Sequence, residues 1–497
     1  MQNGRIELYT DAPTITEDNV IGILYDAYDK YLPTISRMTT LINFEAGYQP
    51  LGRIKSFRKD INVECVDNVA NEITEFKTGF IWGNPITFVQ RGKEEDAASD
   101  VLKAIANLNK MYDAEGIKRK TQHLARNVEI TGLGYTYVDI KTDREDGDSY
   151  FEIESIDPRV AFVIRSSYYV DKRPMLGVLM RIDDKGIKHF TAFSRNQRFE
   201  ISENKHKERS GEANPLGVIP LIEWTRDHDR MGCFERQISE MNNLNLLISD
   251  FTNDVEQNTQ AIWHTNDVDF PKESVTDEKG NIIEKTKRPK SSEWIGTYTS
   301  ADGKTPFIKP LAIDYDYQGM LQNIITRRAL ILQKCNVPQR NDNSGGSTGI
   351  AMASATGYEA AETSANRQQN IMESCKMDEL KVVLRAIKKH PDIDVNDPLF
   401  NLTYTEVCPN IKRQKTYELS IKVNSITTLL SHGFELADVV TVAPLFEDPN
   451  EVINRSGEGV RKYQEANVFK SEKNTTEEKR PFPDYSDQEQ NSPNLNV

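Results

Sequence analysis

The chain runs to 497 residues, and at roughly 150 residues per domain that length calls for two to four cooperating units. Only 37% of it is hydrophobic, which argues against an isolated compact enzyme and for a chain with exposed helices, polar tails or wet subunit contacts. Its formal net charge of -14 opposes tight, sequence-independent wrapping of nucleic acid, which draws its affinity from Lys and Arg, yet leaves room for a surface along which DNA slides.

In chain order, Val66, Val69, Ile73, Phe76 and Phe80 recur at three and four residues, so a helix is expected over Val63 to Phe80. Asn84-Pro85 turns the chain into a strand, Ile86 to Val89. After a helix at Gly116 to Ile130 come runs of β-formers at Tyr135 to Ile140, Phe151 to Ile156, Val160 to Ile164, Met175 to Ile182 and His189 to Phe193, the pattern of an α+β domain. The charged stretch Asn204 to Ser210 and the turn Asn214-Pro215 read as its boundary.

A long helix is expected from Gly232 to His264, with Met241, Leu244, Ile248, Phe251, Val255, Asn258 and Ile262 forming a heptad stripe. That stripe suits a buried core helix and a helix packed on neighbouring subunits equally. A second helix, Tyr317 to Asn336, stops at Val337-Pro338. Between them lies a compact insertion with turns at Lys279-Gly280-Asn281 and Asp302-Gly303, the latter joining Trp294 to Thr299 with Thr305 to Lys309 as a hairpin. Asn341 to Gly357 is too rich in Gly, Ser, Asn and Thr to pack and reads as a mobile loop. A helix from Tyr358 to His390 follows, polar nearly all round over Glu362 to Gln369, then a strand at Leu402 to Val407, a helix-rich end from Arg413 to Gln464, and a polar tail from Ser471 to Val497 expected to be disordered.

Chemical motifs are thin. Gly345-Gly346-Ser347-Thr348-Gly349 matches G-x-S-x-G, but no strand precedes the serine as a nucleophile elbow requires, so a hydrolase built on Ser347 is the weaker alternative. The loop lacks the Lys of a phosphate-binding P-loop. Asp392-Ile393-Asp394-Val395-Asn396 begins like a calcium loop, but Asp397 and Thr403 occupy its obligatory Gly and Glu positions. Asp314 and Asp316 are read as turn or helix N-terminal carboxylates. The seven histidines and five dispersed cysteines form no metal or disulfide pattern, so neither a cofactor nor an enzymatic activity is expected. No apolar run reaches the roughly 20 residues of a membrane span, and no signal peptide is evident at the start. Two basic clusters stand out: Lys285, Lys287, Arg288 and Lys290 in the insertion, and Arg327, Arg328, Lys334 and Arg340 on the second long helix and its exit.

Asp67-Asn68-Val69-Ala70-Asn71 followed by Gly79-Phe80-Ile81-Trp82-Gly83-Asn84-Pro85 resembles the N-terminal signature of siphophage-type portal proteins of tailed bacteriophages. Pro220-Leu221-Ile222-Glu223, with Gly232 and Glu235 leading into the first long helix, is similar to that family's approach to its stem, and Asp448-Pro449-Asn450-Glu451 to its closing helices. The loop departs from the family after Ile350, where Met352-Ala353-Ser354-Ala355 stands in place of basic and aromatic residues.

The resemblance implies a portal-type α+β fold: a wing over 1–231, stem helices at 232–264 and 317–340 around a small β-rich clip at 265–316, a tunnel loop at 341–357, a long helix with a returning wing strand at 358–410, a helical crown at 411–470 and a tail at 471–497. It further implies a ring, a dodecamer in the family, at the portal vertex of the virion, assembled in the host cytoplasm and carrying double-stranded DNA. The implied partners are the terminase large subunit, head-completion or adaptor proteins, and the major capsid and scaffolding proteins. On that reading Asn343, Ser344, Gly345, Gly346, Ser347, Thr348 and Gly349, with Lys334 and Arg340, face the channel. Met241, Leu244, Ile248, Phe251, Val255 and Ile262 form the oligomer seam, and Lys285, Lys287, Arg288, Lys290, Asp302 and Gly303 form the docking tip. Another structural ring, such as a head-tail connector or baseplate component, is the nearest alternative.

Overall fold

A computed structural model describes residues 4–53, 61–92, 99–145, 147–168, 170, 172–203, 207–259, 263–266, 272–276, 282–286, 307–310, 316–339, 357–411, 426–434, 439 and 459. The chain divides into two compact units, Met1–Gln414 and Lys415–Val497. In the second, residues 426–431 are helical and Val439 is buried; most of the expected crown and all of the expected tail lie outside the described residues.

The first unit is mixed α+β. Strand β1 (Leu8–Thr10) runs parallel to β5 (Ala161–Ser166), and β6 (Pro174–Ile182), β7 (Lys188–Phe193), β8 (Gln197–Ser202) and β9 (Lys207–Ala213) follow antiparallel in one six-stranded sheet. Helix α1 (Val20–Glu45) covers it, inserting Leu24, Tyr28 and Tyr31 against Phe162, Leu176, Val178 and Phe190. Burial of each such side chain contributes roughly 1.5–3 kcal/mol. The expected boundary at Asn204 to Ser210 is corrected: β9 occupies most of it, and Asn214 is locked by donating its Nδ2 to Ser194 O at 2.8 Å and Val218 O at 2.7 Å. β9 is the edge strand of the sheet, a position where charged residues are common.

A second sheet, ordered β10 (Leu221–Thr225), β3 (Leu133–Ile140), β4 (Phe151–Ile156), is backed by α4 (Ile117–Thr131) and by the long helix α7 (Tyr358–Lys389). Helices α2 (Val69–Trp82) and α3 (Ser99–Ala114) lie beside it, and β2 (Thr87–Gln90) pairs with β15 (Val407–Asn410) after the short helix α8 (Pro398–Asn401). That return strand begins where the expected strand at Leu402 to Val407 ends. The pairing tolerates Pro409 because a two-stranded ribbon leaves one side of β15 without a ladder.

Helix α5 (Ile238–Thr259) is preceded by a 3-10 turn at Glu235–Gln237 and packs along α6 (Tyr317–Lys334). The expected first long helix is therefore shorter at both ends, since Trp263–Asn266 forms β11, paired with β14 (Phe307–Pro310). Gly232 sits where a Cβ would lie 2.1 Å from Ile130 O, so only glycine lets the chain pass the end of α4 on its way to α5.

Candidate functional site

The heptad stripe on α5 divides in two. Met241 and Leu244 are 1% and 0% exposed, enclosed by the chain's own Leu41, Val69, Ile73, Ile331 and Leu332. These two residues are corrected from seam to core, because a filled cavity leaves no surface for a neighbour. Ile248 packs partly on the same cluster. Phe251 meets Tyr317 edge-on, ring centroids 5.9 Å apart, and Val255 is 42% exposed; Ile262 lies outside the described residues. On α6 an apolar pair absent from the sequence reading stands in solvent: Leu321 and Ile325, one turn apart, are 43% and 51% exposed, while Leu330, 46% exposed, lies on the opposite side of the helix. Its signal was the four-residue step from Leu321 to Ile325.

The other face of α5 is polar and also buried. Asn245, Ser249 and Asn253, four residues apart, are 0%, 0% and 1% exposed. The segment 61–67, expected to be helical from Val63, runs along them without forming a helix: α2 starts only at Val69, where Asn68 Oδ1 caps it by accepting from Asn71 N at 3.3 Å. Asn245 Oδ1 accepts from Asp67 N at 2.9 Å, Ser249 Oγ from Cys65 N at 2.9 Å and Asn253 Oδ1 from Val63 N at 2.8 Å, while Asn253 Nδ2 donates to Val63 O at 2.9 Å. Helix rungs therefore take over the backbone groups that a helical turn would have satisfied internally.

A buried polar hub holds the far end of α6. Lys77, 1% exposed, donates to Asn336 O at 3.2 Å beside Glu129, 0% exposed. Glu129 accepts from Trp82 Nε1 and Arg226 Nε, each at 3.1 Å, and from Gln368 Nε2 on α7. Burial lowers the Lys77 pKa against the pull of Glu129, and burial pushes the nearby Cys233 thiol up to about 12. Beyond the hub the chain leaves at Pro338 and returns at Gly357, and a Cβ on Gly357 would stand 4.0 Å from Pro338 Cα. The segment 339–356 thus starts and finishes at one point of the fold. Arg340, Asn343, Ser344, Gly345, Gly346, Ser347, Thr348 and Gly349 lie outside the described residues.

The basic cluster on α6 is largely answered by carboxylates. Arg328 pairs with Asp67 at 2.8 Å and with Glu72, while Arg327 and Lys334 reach Glu240 at 3.8 and 4.0 Å. Lys334 is half exposed, so its pairing is worth little and leaves it available to solvent. Asp316 caps α6 by accepting from Gly319 N at 2.9 Å, the helix-start role expected of it.

At the opposite end of the pair, β12 (Lys272–Thr276) and β13 (Ile282–Thr286) form an antiparallel hairpin about the expected Lys279-Gly280-Asn281 turn, with Lys285 opposite Glu273. The turn itself, Trp294 to Thr299, Lys287, Arg288, Lys290, Asp302 and Gly303 lie outside the described residues. Ile282 and Ile283 are 76% and 44% exposed. No cluster that could hold a metal ion occurs among the described residues.

Helix α5, strands β11 to β14 and helix α6 thus follow one another along the chain. A family model described as phage portal protein, SPP1 Gp6-like, matches residues 58–466. The chain belongs to that family. No curated protein matches it. Portal-family membership makes it a bacteriophage virion protein of the capsid, from a structural rather than a known enzyme family. Among the described residues no helix is long and apolar enough to cross a membrane.

Proposed function

We propose that this portal-family chain forms a closed ring, a dodecamer, at one capsid vertex, and that double-stranded DNA enters and leaves the capsid through it. The observation that carries this reading is the exposed apolar row Leu321 and Ile325 on α6, with Val255 on α5. Side chains of this size in water on a helix pair with its own core are surface that association would remove, at roughly 1.5–3 kcal/mol for each one fully buried. A head-to-tail contact repeated around an axis buries such a row in every subunit and closes without free ends.

In the ring, α5 and α6 are the stem, the hairpins at 263–310 the clip, and the loop between Pro338 and Gly357 projects into the channel, where Lys334 and Arg340 give brief phosphate contacts. The chain's net charge of -14 keeps such contacts sparse, so DNA is guided without being held. The terminase large subunit drives translocation from the clip, head-completion or adaptor proteins replace it there, and the capsid and scaffolding proteins hold the wing. The test is particle images and sedimentation of purified Leu321→Asp/Ile325→Asp protein. Folded single subunits are expected where the parent chain gives rings; rings of unchanged yield would sink the α6 seam.

A further inference from the structure

The polar ladder on α5 matches the segment beside it in pitch. Four residues of helix advance about 6.0 Å and two residues of extended chain about 6.6 Å, so Asn245, Ser249 and Asn253 fall in step with Asp67, Cys65 and Val63. Each rung is a side chain that accepts from a backbone N–H, and each carries hydrogens of its own: Asn245 Nδ2 donates to Gln49 Oε1 at 2.7 Å and Ser249 Oγ to Asn245 O at 2.7 Å. Rungs of this kind are interchangeable. One step further along the same face stands Gln257, exposed and also an amide, whereas one step back stands Met241, buried and apolar.

We propose that residues 61–67 are a register lock for α5: the three rungs fix where the helix stands along its axis, and when Asn245 is lost the register one turn on, in a single sense, becomes populated. In the slipped register Ser249 faces Asp67, Asn253 faces Cys65 and Gln257 faces Val63, so every backbone N–H that lost a partner meets another. A slip the other way would set Met241 against Asp67 N–H and leave that donor buried without a partner. Asn245, Ser249 and Asn253 are therefore positioning residues for the helix that bears the exposed Val255.

Cys65 supplies the probe, since its Sγ lies 3.6 Å from Thr252 Oγ1. With the ladder intact, mild oxidation of the full-length Thr252→Cys protein should link it to Cys65. Glu256→Cys, one turn on, should link about tenfold less, the ratio that about 1.4 kcal/mol of register preference gives. Burial pushes the thiols of Cys233, Cys335 and Cys375 up to about 12, 11 and 12, so they stay protonated and do not compete. Adding Asn245→Ala should lower the 65–252 link and raise the 65–256 link, both read by non-reducing peptide mapping, which separates links within a chain from links between chains. Asn253→Ala alone, which leaves one N–H unmet in either register, should shift the ratio less than Asn245→Ala. Unchanged links in folded ladder variants, or equal linking at 252 and 256 with the ladder intact, would overturn the lock. Loss of folding in Asn245→Ala itself would overturn it too, because the rungs would then hold the fold and not the register.

Discussion

Glu129 and Lys77 are buried within the same hub, and their neighbours make opposite demands on a substitution. Glu129 depends on Arg226 for charge and on Trp82 and Gln368 for hydrogen bonds. Replacing Arg226 by Met removes the guanidinium bonded to it and should cost about 3–5 kcal/mol, the usual penalty for breaking a buried pair. Lys77 gives one bond, to Asn336 O, for a charge that burial disfavours. Lys77→Met keeps the volume and removes that desolvation, so it should be neutral or raise the melting temperature; a loss comparable with that of Arg226→Met would show that the ammonium is the main partner of Glu129. Neither role was legible in the sequence, because the partners of Glu129 lie 47, 97 and 239 residues away. Asp316 was legible, since its partner Gly319 is three residues on.

Among the elements, local signals held where tertiary contacts agreed with them. The strand at Phe151–Ile156 matches its expected bounds, and α7 stops at Lys389, just before Pro391, as the proline requires. Segment 61–67 differs because Val63 and Val66, 42% and 40% exposed, continue the helical spacing of α2 without being buried by it. Helix α1 escapes notice because Pro33 and the polar run after it interrupt a stripe that the sheet nevertheless buries. The polar first half of α7 also hides a packed seam: Ala361, Ala365 and Gln368 are 0%, 1% and 4% exposed, so smallness rather than apolarity lets the helix approach. Ala365→Leu should overpack that seam and lower stability by about 1–3 kcal/mol. Arg367→Leu on the exposed side should stay within about 0.5 kcal/mol. Denaturant midpoints with equal slopes distinguish the two, and an indifferent Ala365→Leu would mean that α7 packs more loosely than its burial indicates.

For the molecule as a whole, the three long helices near 238–259, 317–334 and 358–389 could be read early because each is announced by residues within it. The division of α5 between core and surface could not, since whether a heptad stripe faces its own chain or another depends on what fills the space beside it, here Ile331, Leu332 and Val69. The same separation of core from tip gives the strongest test of the clip assignment. Among the described residues the β12–β13 hairpin contributes none to the buried clusters, and Ile282 and Ile283 face water. Removing the hairpin should therefore leave ring formation and melting temperature near those of the parent, while the Leu321 and Ile325 row still closes the ring. If the terminase large subunit docks at that tip, the same deletion should abolish DNA packaging, measured as nuclease-protected DNA in a reconstituted reaction. Ile282→Asp with Ile283→Asp, which keeps the backbone ladder, should reproduce the loss. Full packaging by both variants would place the docking surface elsewhere on the ring, whereas loss of rings would mean that the tip takes part in the subunit seam.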